Sequence, residues 1–466
     1  MSNPTQHTDS LDQYRDLLRN HGDTVGVNTA PVIAAKRLEA ESVLLSDSGL
    51  SLPQKGSEGY EITDVNELLA PDLGVNILRL PVNSDVEEVL KCGLPTVSSL
   101  MGITINDSYR PTDRMLRLLP DGVSVVPFSK ATGRAAEIIQ KYYGKIAGDY
   151  GKNASLLLNT ALAQDGLLIH VEAGIRLEKS IQLVNILQEM KAADGTPMPV
   201  LAVRRILIIL ESDSSASVLV CDHSRNSDSA SVSSQVTEIS LAANSRLNLY
   251  ELEETSSGTG RLAHTFANLS HDSRLTMFSG MLKPGRTRND ITIRLNEPGA
   301  SLTLDGMAII DENRTGDNNV TVFHNVGHCQ SEQTFKYLVD DRARGAFGGL
   351  IRVDYDAAGT EAHQTNRNLV ASEGARMHTR PQLEIYCDDV KCSHGAATGQ
   401  LDEQALFYMR SRGIDLPEAK TMLMNAFMSD VLDSVTLEPL RDRLRHLVER
   451  RLAGDDARCR ECSINN

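Results

Sequence analysis

Ala216-Ser217-Val218-Leu219-Val220, Ser245-Arg246-Leu247-Asn248-Leu249, Ser273-Arg274-Leu275-Thr276-Met277 and Ala300-Ser301-Leu302-Thr303-Leu304 are the stretches that decide the fold. Each is a small polar turn followed by alternating apolar and polar residues, the pattern of a strand with one buried face. Superposed, they give one apolar register at Leu219, Leu247, Leu275 and Leu302, in steps of 28, 28 and 27 residues. A related Gly374-Ala375-Arg376-Met377 lies 75 residues beyond Leu302, close to three further steps. Units of this size bury a continuous core only when stacked. Strands recurring at this period with no helix between them predict a β-solenoid. A β-sandwich is the alternative, but its turns recur about every 8 to 12 residues and share no motif across units.

Outside this region the hydrophobic period changes. From Ser10 to about Asn159 it is mainly helical, with Leu11, Tyr14, Leu17 and Leu18 at helix spacing, then Val86, Val89 and Leu90, then Ala136, Ile139, Tyr142 and Tyr143. Gly122–Pro127 interrupts it as a short strand-like run. After Gln400 the helical period returns with Leu401, Ala405, Tyr408 and Met409 on one face. Gly413 is a stop, Asp415 a cap and Pro417 sits in the first turn of the next helix. A third helix starts near Glu438-Pro439 and carries Leu440, Leu444, Leu447 and Val448. The expected order is an α-rich domain over 1–160, a solenoid over 161–400, a helical domain over 401–453 and a polar, disordered tail over 454–466.

With 47 Lys and Arg against 62 Asp and Glu, the chain carries a formal charge of −15, which repels nucleic acid unless a basic patch intervenes. The richest basic run, Arg441–Arg451, is interrupted by Asp442 and Glu449, as on a solvated helix face. Seven scattered cysteines are not a disulfide framework and indicate a reducing compartment. Met1–Leu18 carries Asp9, Asp12 and Asp16 and reads as neither a secretory signal nor a transit peptide. No run approaches the roughly 18 apolar residues that span a bilayer. The expectation is a cytoplasmic protein with no membrane partner.

The strongest candidate for chemistry is Lys391-Cys392-Ser393-His394-Gly395, where the last strands meet the first helix of the cap. On a strand, Cys392 and His394 share a face, which allows a common soft-metal or sulfur site. Two ligands do not close such a site, and a buried cysteine is often only a small hydrophobe, so spacing leaves both readings open. Cys387 either joins this neighbourhood or fills the core. His324 and His328, flanking the turn residues Asn325 and Gly327, read as satisfied surface histidines with Cys329 beside them. Cys459-x-x-Cys462 lacks the second pair of a zinc site and reads as a free pair on the tail. Gly345, Gly348 and Gly349 lack the lysine and following helix of a phosphate loop and read as tight turns. A G-x-S-x-G elbow is absent, and Asp340-Asp341 and Asp388-Asp389 read as solvated charge.

Longer blocks carry a resemblance. Asp340-Asp341-Arg342-Ala343-Arg344-Gly345, Gln364-Thr365-Asn366-Arg367-Asn368-Leu369, Arg380-Pro381-Gln382-Leu383-Glu384-Ile385 and Asp388-Asp389-Val390-Lys391-Cys392-Ser393-His394-Gly395 resemble the SufB/SufD family of iron–sulfur cluster assembly proteins. So do Gly399-Gln400-Leu401-Asp402 and Phe407-Tyr408-Met409-Arg410-Ser411-Arg412-Gly413-Ile414. The likeness runs from about Asn159 to Leu444, and 391–395 and 410–413 are similar to the SufD-like branch. It implies a right-handed parallel β-helix between the two helical domains. It also implies a non-catalytic scaffold that pairs with a SufB-like paralogue through the β-helix and binds a SufC-like ATPase through the C-terminal helices. Alone, such a chain is expected to be able to self-pair. The family's implicated histidine falls on His394 and its neighbouring cysteine on Cys392, as contacts for a transient iron or iron–sulfur cluster shared with the paralogue, with no tightly bound cofactor. Cys387 and the Cys459/Cys462 pair depart from the family pattern. The rival is a β-helix carbohydrate enzyme such as a polysaccharide lyase, disfavoured because those enzymes are usually exported.

Overall fold

A computed structural model describes residues 9–47, 49–82, 100–148, 153–191, 195–225 and 230–454. Val86, Val89, Leu90, the Cys459/Cys462 pair and the tail from 455 lie outside these residues. In chain order the strands are β1 (Leu100–Ile105), β2 (Ser108–Pro111), β3 (Val123–Pro127), β4 (Leu167–Val171), β5 (Ile181–Leu187), β6 (Met190–Lys191) and β7 (Pro197–Met198). There follow β8 (Leu201–Leu210), β9 (Ser215–Ser224), β10 (Val232–Leu241), β11 (Arg246–Glu254), β12 (Gly260–Leu269), β13 (Arg274–Lys283) and β14 (Arg286–Leu295). The last are β15 (Ser301–Ile310), β16 (Thr315–His324), β17 (Gln330–Val339), β18 (Arg344–Val353), β19 (Thr360–Val370), β20 (Arg376–Ile385) and β21 (Val390–Gly399).

From β8 onward, even strands stack in one parallel sheet and odd strands in the other, so each even–odd pair is one coil of a parallel β-solenoid with seven coils, β8/β9 to β20/β21. Leu247, Leu275 and Leu302 are direct partners in the stack, as their spacing predicts. Leu219 is not: the first coil is longer, and Leu247 stands opposite Ala216. Ala216 therefore faces the interior with Leu247, while Leu219 faces outward under the C-terminal helices. Met377 also leaves the predicted register, because it opens β20 in the opposite sheet, beside Gly345. The true continuation of the leucine column is Ser331, Ala362 and Cys392.

The corners explain the small polar residues between strands. Asp213, Asn244, Asp272 and His328 take the left-handed conformation, with φ of 60°, 57°, 54° and 59°, which Asn and Asp tolerate better than most side chains. In the same corner column Gly299 (φ 77°) stacks on Asp272, whose carboxylate would collide with any Cβ at 299. Gly345, Gly348 and Gly349 are not turns. They lie inside β18, where neighbouring residues leave no room for a side chain: Met377 and Asn319, from the adjacent coils, close on Gly345 and Gly348, and Gln364, from across the interior, on Gly349.

Helices cover both sheets on their outer faces at the first coils, which is why all ten residues of β8 are buried and all but Arg204 and Arg205 are apolar. Helices Leu11–Val27, Ala34–Ser46, Gly133–Tyr142 and Ala154–Leu162 pack on Leu201, Val203, Leu207, Ile209, Val236 and Phe266 of the even sheet. Helices Leu416–Asp433 and Glu438–Leu452 pack on Tyr250, Leu252, Phe278, Met307, Ile309 and Leu338 of the odd sheet. Each such aliphatic or aromatic side chain contributes on the order of 1.5–3 kcal/mol when fully buried. β1 adds a parallel strand beside β5, and β3 an antiparallel one beside β4, covering the first coils. Asp415 caps the helix from Leu416, and Gly413 (φ 90°) ends the one before it.

Candidate functional site

β20 and β21 are the terminal strands of their sheets, each hydrogen-bonded on one side only. The solenoid thus ends in an open coil. The C-terminal helices lie against its side and leave the end uncovered. Most residues of β20 and β21 are exposed or half-buried, in contrast to the buried alternation of the preceding coils.

Cys392 and His394 lie on the interior-facing side of β21, in register with the buried Ala362 and Gln364 of β19. Cys392 is half-buried against Ile351, Val353, Ala357 and Ala362, and Cys387, from the preceding corner, packs on the same cluster. Burial pushes the Cys392 thiol up, opposed by a hydrogen bond with the backbone of Ala362. The resting group is a protonated thiol, and a metal or base is needed to make it a ligand. His394 is exposed. The other side of the strand carries a Lys391–Glu361 pair at 2.7 Å and a Ser393–His363 hydrogen bond at 2.7 Å, both turned away from the interior. Among the described residues no three His, Cys, Asp or Glu side chains converge to hold a metal ion. Cys392 and His394 do not by themselves close a coordination shell.

The other sequence candidates do not join them. His324 is not a surface histidine: it is buried inside the solenoid, 2.8 Å from Ser331 Oγ through Nε2, and burial pulls it down to about 4. His328 is an exposed corner residue and Cys329 is buried next to it. Arg352 stacks over Tyr386, whose ring lies 5.1 Å from the exposed Tyr355, so aromatic surface rims the open coil.

Sequence reasoning missed three arrangements. The first is an amide cluster under the open end: Gln364, Asn366 and Asn368 point inward, with relative exposures of 2, 0 and 3 %. Asn368 donates to Asn366 at 2.7 Å and Thr379 to Asn366 at 2.8 Å. Their alternation in Gln364-Thr365-Asn366-Arg367-Asn368 was visible, but polar residues on a strand read as outward-facing. The second is a charged network inside earlier coils, where Asp222 bridges Arg204 (2.9 Å) and Arg261 (2.9 Å). From Arg261 hydrogen bonds run through Asn289 and Asn318 to Tyr337. The third brings Ser155, His264 and Asp290 together under the N-terminal helices. It is no hydrolytic triad, because Ser155 donates to Asn153 (2.8 Å), leaving its oxygen to accept from His264 Nε2 (3.2 Å), while Nδ1 stands 3.7 Å from Asp290.

The helix Glu403–Ser411 has no buried residue; of the apolar face expected at Leu401, Ala405, Tyr408 and Met409, Tyr408 is exposed, Ala405 and Met409 are half-buried, and Leu401, just before the helix, packs on the cluster under the other C-terminal helices. Phe407 and Tyr408 are 75 and 59 % exposed, with Leu416 and Met422 exposed on the next helix. Exposed apolar side chains, where they adjoin one another, are a feature of interaction surfaces. No helix among the described residues is long and apolar enough to cross a membrane.

Comparison with known proteins matches residues 191–427 to the core domain of the SUF-system iron–sulfur cluster assembly SufBD proteins, and residues 8–183 to their N-terminal region. The chain is 32 % identical to the iron–sulfur cluster assembly protein SufD of Escherichia coli over 64 % of its length and 70 % of that protein. It is 27 % identical to an iron–sulfur cluster assembly SufBD-family protein of Synechocystis, covering 95 % of this chain and 96 % of the relative. SufD of Bacillus subtilis matches at 23 % over 71 % of this chain and 74 % of that protein. None of these matches supports the carbohydrate-enzyme alternative.

Proposed function

The chain belongs to the SufB/SufD family of iron–sulfur cluster assembly proteins, and from that premise we propose that it is a SufD-type scaffold subunit without turnover of its own. In this reading it pairs with a SufB-like paralogue through the open coil and docks a SufC-like ATPase through the Glu403–Ser411 and Leu416–Asp433 helices. The observation that carries the reading is that Cys392 and His394 sit on the one coil whose two strands each leave an edge unpaired. Unpaired edges of this length are templates for strand pairing, and proteins that do not use them normally cover or charge them. A paralogue that continues the two sheets would place its own side chains opposite Cys392 and His394 and complete the shell that this chain lacks. Iron and sulfur are the cargo: neutral imidazole and thiolate are suitable ligands for the iron.

The C-terminal helices are tied to the odd sheet at several coils, the last of them two strands from β21. Lys336 of β17 binds Asp430 at 2.5 Å and the carbonyl of Phe427 at 2.7 Å, Tyr250 bonds Thr436 at 2.7 Å, and Arg451 binds Asp311 at 2.8 Å. A displacement of these helices when two bound ATPases dimerise would act on β15 and β17, and through β19 on β21. In that way nucleotide state reaches the pairing edge and exposes Cys392 and His394.

The test is co-purification with the host's SufB-like and SufC-like proteins, comparing the full chain with a truncation after Gln400. The reading expects a complex that loses only the ATPase on truncation; failure of the full chain to bind either partner would overturn it. His394→Ala is expected to impair cluster assembly with the complex intact.

A further inference from the structure

Gln333, Gln364 and His394 form one column across β17, β19 and β21, since Gln333 is in register with Gln364 and Gln364 with His394. Both glutamines are buried, at 1 and 2 % exposure. Gln364 Nε2 donates to Gln333 Oε1 at 3.0 Å, while Gln333 Nε2 is itself without a partner. The amide lies flat over Gly349, where any side chain would strike it. Gln364 Oε1 has no hydrogen-bond partner although it is buried. An unpaired buried acceptor costs on the order of 1–3 kcal/mol, so the arrangement is incomplete without a donor. The strand spacing of roughly 4.8 Å puts the His394 ring, now exposed, within reach of that oxygen.

We propose that Gln364 is a positioning residue for His394: its Oε1 accepts one imidazole N–H, turning the other ring nitrogen, lone pair outward, through the open coil. A histidine has a donor to give only at the nitrogen that does not bind metal, and the hydrogen bond at one nitrogen selects the tautomer that frees the other. The amide ladder supplies the rigidity, because Gln364 is held by Gln333 on one side and by the absence of a side chain at Gly349 on the other. The metal-facing half of this inference rests on the proposed site at His394; the hydrogen bond itself does not.

The experiment uses the full chain labelled with 15N-histidine, with the His394 signal identified by its absence in His394→Ala. One tautomer of His394 is expected in the wild type and in Gln364→Glu, which keeps the acceptor, and a mixture in the near-isosteric Gln364→Met, which removes it. In the complex with the SufB-like and SufC-like partners, ferrous ion should bind about 10–100-fold more weakly with Gln364→Met, the usual effect of losing a histidine's partner, and recover with Gln364→Glu. An unchanged tautomer distribution in Gln364→Met overturns the proposal. So does unchanged ferrous affinity in Gln364→Met where His394→Ala weakens it. If His394→Ala itself leaves ferrous binding unchanged, the site assignment fails, and the tautomer measurement still decides the role of Gln364.

Discussion

Replacing Phe407 by alanine separates docking from folding. The side chain is 75 % exposed on a helix with no buried residue, so its removal costs the isolated chain almost nothing. A phenylalanine side chain offers roughly 200 Å², of which about 150 Å² would leave water on docking, worth about 4 kcal/mol at 25 cal/mol/Å². Alanine retains about a quarter of that, so the expected loss is about 3 kcal/mol, or roughly a hundredfold in Kd. Titration calorimetry of the purified chain against the SufC-like ATPase reads this directly, with circular dichroism confirming unchanged helix content. A Kd within about threefold of wild type would refute the assignment of this helix as the docking surface.

Three further outcomes follow from the same geometry. Gly395→Lys introduces a side chain where a Cβ meets nothing within 4 Å; the melting temperature should be unchanged while pairing with the SufB-like subunit, read by size-exclusion chromatography, is lost. Asp222→Ala leaves Arg204 and Arg261 buried without their shared carboxylate; removing one partner of a buried pair costs about 3–5 kcal/mol, which a fall in the urea midpoint should report. Burial raises Glu251 to about 6 from an ordinary 4.5, so its contribution to stability is present below about pH 4.5 and lost as pH rises through 6. Glu251→Gln, which cannot ionise, should therefore gain on the wild type by up to about 2 kcal/mol between pH 4.5 and 7 in parallel urea titrations.

The solenoid was legible because Leu247, Leu275 and Leu302 occupy one interior column at nearly constant spacing, and repeated burial of one face imposes repeated residues. Leu219 misled because both faces of these sheets are covered: an outward position beneath the C-terminal helices is as apolar as an inward one, so hydrophobicity alone does not fix the register. Gly345, Gly348 and Gly349 misled for a related reason. Glycine marks a tight turn and also marks a strand that must clear a large neighbour, and only the folded coils reveal Met377 and Asn319 above and below and Gln364 across the interior. Cys392 and His394 could be placed on one face from their spacing, but the end of the stack could not be foreseen, and their exposure depends on it.

That end also reconciles the polar interior with the proposed function. In the first coils Asp222 pairs with Arg204 and Arg261, and the last buried amides, Gln364 and Asn368, each retain an oxygen without a partner. A solenoid that simply stopped would be expected to close with apolar or charged capping residues. Here the final coil instead presents an imidazole and a thiol beside two unpaired strand edges, over buried amides of the coil beneath. Backbone pairing with a paralogue and side-chain capture of cargo would therefore occur on the same surface, so that a change in one is felt by the other.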